Sequence, residues 1–178
     1  MHGHIHAQVA YLNVENPFLH DFLRDLRPTY ELPGRYALTH DLLDAEAADV
    51  FLRETERLQL SKLLTMFKDG WEDRLKRSIY GCVAAGIDTF PIIMSQDDLT
   101  GERGNADKCL DIAVSTLKLM GVPDAKNFIA LTTDNPTTMQ TFRRRFQNKF
   151  FWILTFACFL HSINTLIGEI ASYPLIKK

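Results

Sequence analysis

Two aspartates stand where short apolar runs give out: Asp69 in "FKDGW" and Asp134 in "FIALTTDNP". Two carboxylates within a few ångströms repel when both are ionised, and one then keeps its proton. A hard divalent cation removes that penalty, because oxygen donors suit Mg²⁺ and Mn²⁺. Two such ions can clamp the attacking and leaving oxygens of a phosphodiester. The plain alternative is turn chemistry. Asp-Gly and Asp-Asn-Pro are ordinary turn sequences, and Asp134 suits the positive end of a following helix.

Other residue groups invite chemistry of their own. Cys158 and His161 form a C-x-x-H pair, half of a zinc site at most, and the chain has no second pair. Cys158 otherwise reads as core, and His161 as a phosphate contact or a helix start. His2, His4 and His6 alternate at the start, but a metal site needs a fixed geometry that a free terminus rarely supplies. "FRRRFQNK" offers Arg143, Arg144, Arg145 and Lys149. They are either a solvated helical face or a phosphate-contacting patch, whose binding would be non-specific and steeply salt-dependent. Trp71 either covers a crevice beside the aspartates or packs over the turn.

The elements that must position these residues follow from periodicity. Asn16 and Pro17 suit a helix start, and Phe18, Leu19, Phe22, Leu23 and Leu26 recur at helical spacing. A second helix is expected over 41–60, with Leu42, Leu43, Val50, Phe51 and Leu58 inward. Three strand candidates follow in "LLTMFKDGW", "RSIYGCVAAG" and "TFPIIM". The short "AGID" link predicts a hairpin, and Pro91 puts the third strand at an edge or a bulge. A helix is expected from Asn105 to Gly121, with Ala106, Cys109, Leu110, Ala113, Leu117 and Met120 as its apolar stripe. Then come a strand over 128–133, a helix over 136–149, a strand over 151–157 and a helix near 160–171. The apolar run Phe150–Leu160 is too short for a bilayer and reads as a central strand buried on both faces. Antiparallel strands at the front and crossover units behind predict a five-stranded mixed sheet flanked by helices. The first and fourth strands can then lie side by side, with Asp69 and Asp134 just beyond their ends.

Composition sets the outer bounds. The chain has 178 residues, 46% hydrophobic, with a net charge of -2, so it can bury a real core. Residues 1–67 hold 6 Lys/Arg and 10 Asp/Glu, and residues 68–178 hold 14 and 12, so the mild basic excess lies in the second part. Three cysteines, Cys82, Cys109 and Cys158, do not make a disulfide framework and read as a reducing, intracellular setting. The start has no basic segment followed by an apolar one, so no secretory signal is expected.

Four stretches carry a resemblance. "FLRDLRPTYELPGRYAL", "DGWEDRLKRSIYG", "LTTDNPTTM" and "CFLHSIN" occur in the order seen in hAT-superfamily transposase-like proteins. The likeness runs from about Pro17 to Ile170, and the chain looks like the uncharacterised domain often found within their RNase H-like core. It implies an α/β, RNase H-like mixed five-stranded sheet flanked by helices over 61–178, with an N-terminal helical preface over 1–60. It also implies a DDE centre for metal-dependent DNA strand cleavage and transfer, a nuclear setting, and Mg²⁺ or Mn²⁺ as cofactor. Asp69 matches the aspartate of the family's "DGW" motif, which Trp71 completes. Asp134 and Asn135 match its "TDN" motif. Cys158 and His161 match its C-x-x-H motif, which lies close to the catalytic centre.

One part of the pattern is missing. The family's third carboxylate, a Glu, lies far downstream past a helical insertion, and Glu169, the late glutamate here, is not where the family places it. The expectation is therefore a truncated, transposon-derived fragment that binds metal weakly and lacks strand-cleaving activity. The alternative is a non-catalytic nuclear module that binds nucleic acid or protein through the same fold, with no role for a membrane.

Overall fold

The structure, a computed structural model, describes residues 11–102 and 105–173, so the expectation for His2, His4 and His6 lies outside the described residues. The chain divides into two compact units, Met1–Arg53 and Glu54–Lys178.

The first unit is helical. A 3₁₀ turn, Tyr11–Glu15, leads into helix α1, Pro17–Leu26, then α2, Arg35–Thr39, and the start of α3, Asp41–Leu60. Asn16 caps α1 by accepting from the Phe18 N–H at 2.9 Å, and Pro17 occupies the first position, where no N–H is needed. Val14 and Leu38 are its buried apolar side chains, while Phe18, Phe22 and Leu26 face solvent. Val50 and Phe51, expected inward, are also exposed; so short a set of helices has too little surface to cover the stripe.

The second unit is built on a sheet. Its elements are β1, Leu64–Glu72; β2, Ser78–Gly86; β3, Thr89–Asp98; α4, Ala106–Leu119; β4, Phe128–Thr133; α5, Thr137–Lys149; β5, Leu154–Ala157; and α6, Phe159–Ala171. The strand order is β3-β2-β1-β4-β5. β1, β2 and β3 form an antiparallel meander, and β4 and β5 add in parallel beside β1. This is the expected α/β, RNase H-like mixed sheet, with a helical region ahead of it.

Strand periodicity decides which face is core. Along β1, Leu64, Met66 and Lys68 are buried while Phe67, Asp69 and Trp71 are exposed, as successive side chains point to opposite faces. The buried face continues through Cys82 and Ala84, Ile92 and Met94, and Phe128 and Leu131. Cys109, Ala113 and Leu117 of α4 and Met139, Phe142 and Phe146 of α5 complete that core. Asn105 caps α4 through the Asp107 and Lys108 N–H groups. Gly121, at φ +71°, turns the chain out of it in the left-handed region that glycine tolerates.

The last strand corrects an expectation. The Phe150–Leu160 run is not a central strand buried on both faces. Its strand, β5, is four residues long and forms the sheet edge, with Leu154 and Phe156 exposed. Phe150 and Ile153, just before it, are buried in the core and anchor the run, while Phe151 and Trp152 between them are exposed. α6 is likewise exposed, including Phe159, Leu160, Leu166 and Ile170. Among the described residues no helix is long and apolar enough to cross a membrane.

Lys68 is the anomaly of the core. It is 1% exposed, and its Nζ has no hydrogen-bond partner among the described residues. It stands 5.8 Å from the centroid of the Tyr80 ring. Burial pushes the nearby Cys82 thiol up to about 11, with the Lys68 charge pulling the other way.

Candidate metal centre

Asp69 does not follow its strand, as the sequence reading had it. β1 continues to Glu72 because antiparallel β2 pairs with it out to Ser78. Parallel β4, however, stops at Thr133, opposite Lys68. Asp69 and Asp134 are therefore the next residues on two adjacent strands, at the tip of their parallel pairing.

The electrostatics agree with that register. Asp134 is half-buried, and its carboxyl is raised above the usual range, first by burial and then by the charge of Asp69. His161 and Arg143 act in the opposite sense. Asp69 is exposed, and its carboxylate accepts from the Gly70 N–H at 3.0 Å. Carboxylate oxygens on adjacent strand tips, one half-buried and one exposed, suit a hard cation better than a soft one. Among the described residues no group of three or more His, Cys, Asp or Glu converges in a way that could hold a metal.

Each letter of the "TDNP" turn has a structural use. The buried Thr133 hydroxyl donates to the Asp134 carbonyl at 2.7 Å. Asn135 offers its carbonyl oxygen to the Gln140 amide at 3.1 Å. Pro136 is the residue that opens α5, with φ -60° already close to what the helix needs. The far side of the turn is tied to the next crossover, since the Cys158 N–H donates to the Thr133 carbonyl at 2.7 Å. Cys158 is half-buried at the N-cap of α6, with a free thiol. That link brings His161, in the first turn of α6, close enough for its charge to act on Asp134.

Two concavities meet at this turn. A cavity of about 160 Å³ is lined by Gly70, Trp71, Ser78, Tyr80, Asp134, Pro136, Thr138 and Met139. An open groove of about 500 Å³ runs past Asn135 and Pro136 to His161 and Glu169. Trp71 lines the cavity and also lies on β2, its ring 3.1 Å from where a Cβ on Gly81 would stand. The ring thus packs on the neighbouring strand rather than over the Asp-Gly turn that the sequence suggests, because β1 runs on through Trp71. Tyr80 packs on the other strand neighbour in the same fashion, 2.7 Å from where a Cβ on Gly70 would stand. Both glycines leave room for a ring.

The basic residues of α5 do not share one fate. Arg143 turns toward the β4–α5 turn and donates to Thr133, Asp134 and Asn135. Arg145 is paired with Asp107. Arg144 and Lys149 are exposed, with no ion pair among the described residues. Sequence reasoning overlooked Tyr80, Lys68 and the inward course of Arg143. A three-arginine run gives no sign of which member folds back onto the chain. Neither a protein-family model nor a curated protein matches this chain.

Proposed function

We propose that the tips of β1 and β4 bind a single divalent cation, Mg²⁺ or Mn²⁺, through Asp69 and Asp134, as the remnant of a hAT-like transposase nuclease centre. The observation that carries this reading is the register of the two strands, which leaves the two carboxylates as neighbours with Asp134 held against ionisation by burial and by Asp69. The order of the "DGW", "TDN" and C-x-x-H stretches supports the lineage. A bound cation would supply Lewis-acid stabilisation of a phosphodiester. The chain's own residues would hold it, present His161 toward a phosphate from the groove, and wall the cavity with Trp71 and Tyr80. Two carboxylates hold one ion weakly, and cleavage of a phosphodiester needs far more transition-state stabilisation than that. The proposed present role is therefore cation-assisted, non-specific contact with DNA in the nucleus rather than strand cleavage.

A second reading rests on a different observation. The exposed apolar side chains of β5 and α6, together with the exposed cations of Arg144 and Lys149, fit a non-catalytic module that binds protein or nucleic acid without metal. Mn²⁺ titration followed by electron paramagnetic resonance separates the two. Saturable binding that disappears in both Asp69→Asn and Asp134→Asn, with circular dichroism unchanged, is the result expected. Binding that survives both substitutions removes the metal reading. DNA binding that ignores the cation favours the second.

A further inference from the structure

The sequence offers Arg143 as one of three adjacent arginines on a helix, and the surface reading would give all three the same partner. The structure separates them. The Arg143 guanidinium reaches back from the second turn of α5 and makes three hydrogen bonds to three consecutive residues. Nη1 donates to the Thr133 hydroxyl at 2.6 Å and to the Asp134 carbonyl at 2.7 Å, and Nη2 donates to the Asn135 side-chain carbonyl at 2.7 Å. The Thr133 hydroxyl, having accepted from Arg143, donates its own proton to that same Asp134 carbonyl. These bonds tie the Thr133 hydroxyl, the Asp134 carbonyl and the Asn135 side chain to one guanidinium, and the Asp134 carboxylate between them feels the charges of Asp69, His161 and Arg143.

We infer that Arg143 is a positioning residue for Asp134: its planar fork sets the conformation of the β4–α5 turn and so the place of the carboxylate beside Asp69. The inference is specific to guanidinium. Its donors diverge in one plane and meet three acceptors at once, whereas an ammonium is a single point with no fixed fork. It also removes Arg143 from the basic surface, which leaves Arg144 and Lys149 to meet phosphate. The consequence for cation binding rests on the two-carboxylate reading; the restraint on the turn does not.

The test uses the whole chain and reads both consequences. In Arg143→Gln and Arg143→Lys, backbone ¹⁵N relaxation reports the turn. Order parameters for the Asp134 and Asn135 amides are expected to fall from the rigid range, about 0.85, toward 0.6 or below, while those of β1 and β4 stay put. Mn²⁺ affinity is expected to weaken about tenfold or more in both variants, the usual cost of removing a partner that orients a metal ligand. Lys118→Gln, an exposed change on α4, should change neither. Failure of the wild-type chain to bind Mn²⁺ would sink the metal reading alone, because the relaxation data still decide the role of Arg143. Should Arg143→Gln not fold, Arg143→Lys carries both measurements. Unchanged order parameters together with Mn²⁺ affinity within twofold of wild type would overturn the assignment, as would full rescue by lysine.

Discussion

Replacing Lys68 by methionine should stabilise this protein. Lys68 is buried to 1% exposure, and its Nζ has no hydrogen-bond partner among the described residues. An unsatisfied buried donor costs about 1–3 kcal/mol, and more when charged. Against that stands the Tyr80 ring, whose centroid lies 5.8 Å away. A cation over a ring at the limit of about 6 Å returns roughly 0.5–1 kcal/mol. The desolvation term therefore wins, and the net cost of the ammonium is about 1–2 kcal/mol. Methionine has a similar unbranched shape and no donors, so it fills the same slot beside Met66 and Cys82 without a cavity. The expected gain corresponds to roughly 2–8 °C in Tm for a chain of this size. Urea unfolding checks it directly, followed by the fluorescence of Trp71 and Trp152, which both lie in the sheet-bearing unit. The midpoint should rise with the slope unchanged. A variant less stable than wild type by about 1 kcal/mol or more would refute the reasoning, because it would mean that the ammonium has a partner in solution.

Three further outcomes follow from the site. Asp134 has a folded-state carboxyl raised above its free value, so the folded state binds the extra proton, and its contribution to stability falls as pH rises from the free value through the folded one. Asp134→Asn should therefore gain on wild type in thermal melts as pH rises through and above the ordinary carboxylate range; a difference that stays constant with pH would count against it. Gly70→Ala places a methyl 2.7 Å from the Tyr80 ring and should cost about 1–3 kcal/mol in chemical denaturation, with a change in the cavity seen as altered Tyr80 aromatic shifts. For duplex DNA, Arg144→Gln and Lys149→Gln should each reduce the slope of log K against log salt by about 1, while Arg145→Gln, whose guanidinium is engaged by Asp107, should leave it nearly unchanged.

Much of the sheet was legible because its signals are local. The "AGID" hairpin, the Asn105 cap, the Gly121 stop and the 3.6-residue stripe of α4 each depend on a few neighbouring residues, and each stands in the structure as read. The placement of β1 beside β4 followed from the order of strands and crossovers. What failed depends on distant partners. An apolar run such as Phe150–Leu160 says nothing about whether another strand lies beyond it, and among the described residues β5 is the sheet edge. The end of β1 is not legible at Asp69 because a turn signal, Asp-Gly, sits inside a strand that antiparallel pairing carries on through Glu72. At the site, the two aspartates could be singled out by type and position. Lys68 and Tyr80 could not, because only the pleat tells that Lys68 faces inward and Tyr80 lies over Gly70.

The order in which β1 gains its neighbours has a consequence for assembly. Its antiparallel partner follows after a five-residue turn, while its parallel partner arrives only after β3, α4 and their connections have been threaded, some sixty positions later. Short loops close early and long ones late. The meander can thus zip up while Asp69 still lacks its counterpart, and the acidic pair is created only when β4 docks. Local opening of the β4–α5–β5 segment would dissolve the pair without melting the meander. Cation affinity, measured along a denaturant series, would then report the docking of that late segment ahead of the global transition.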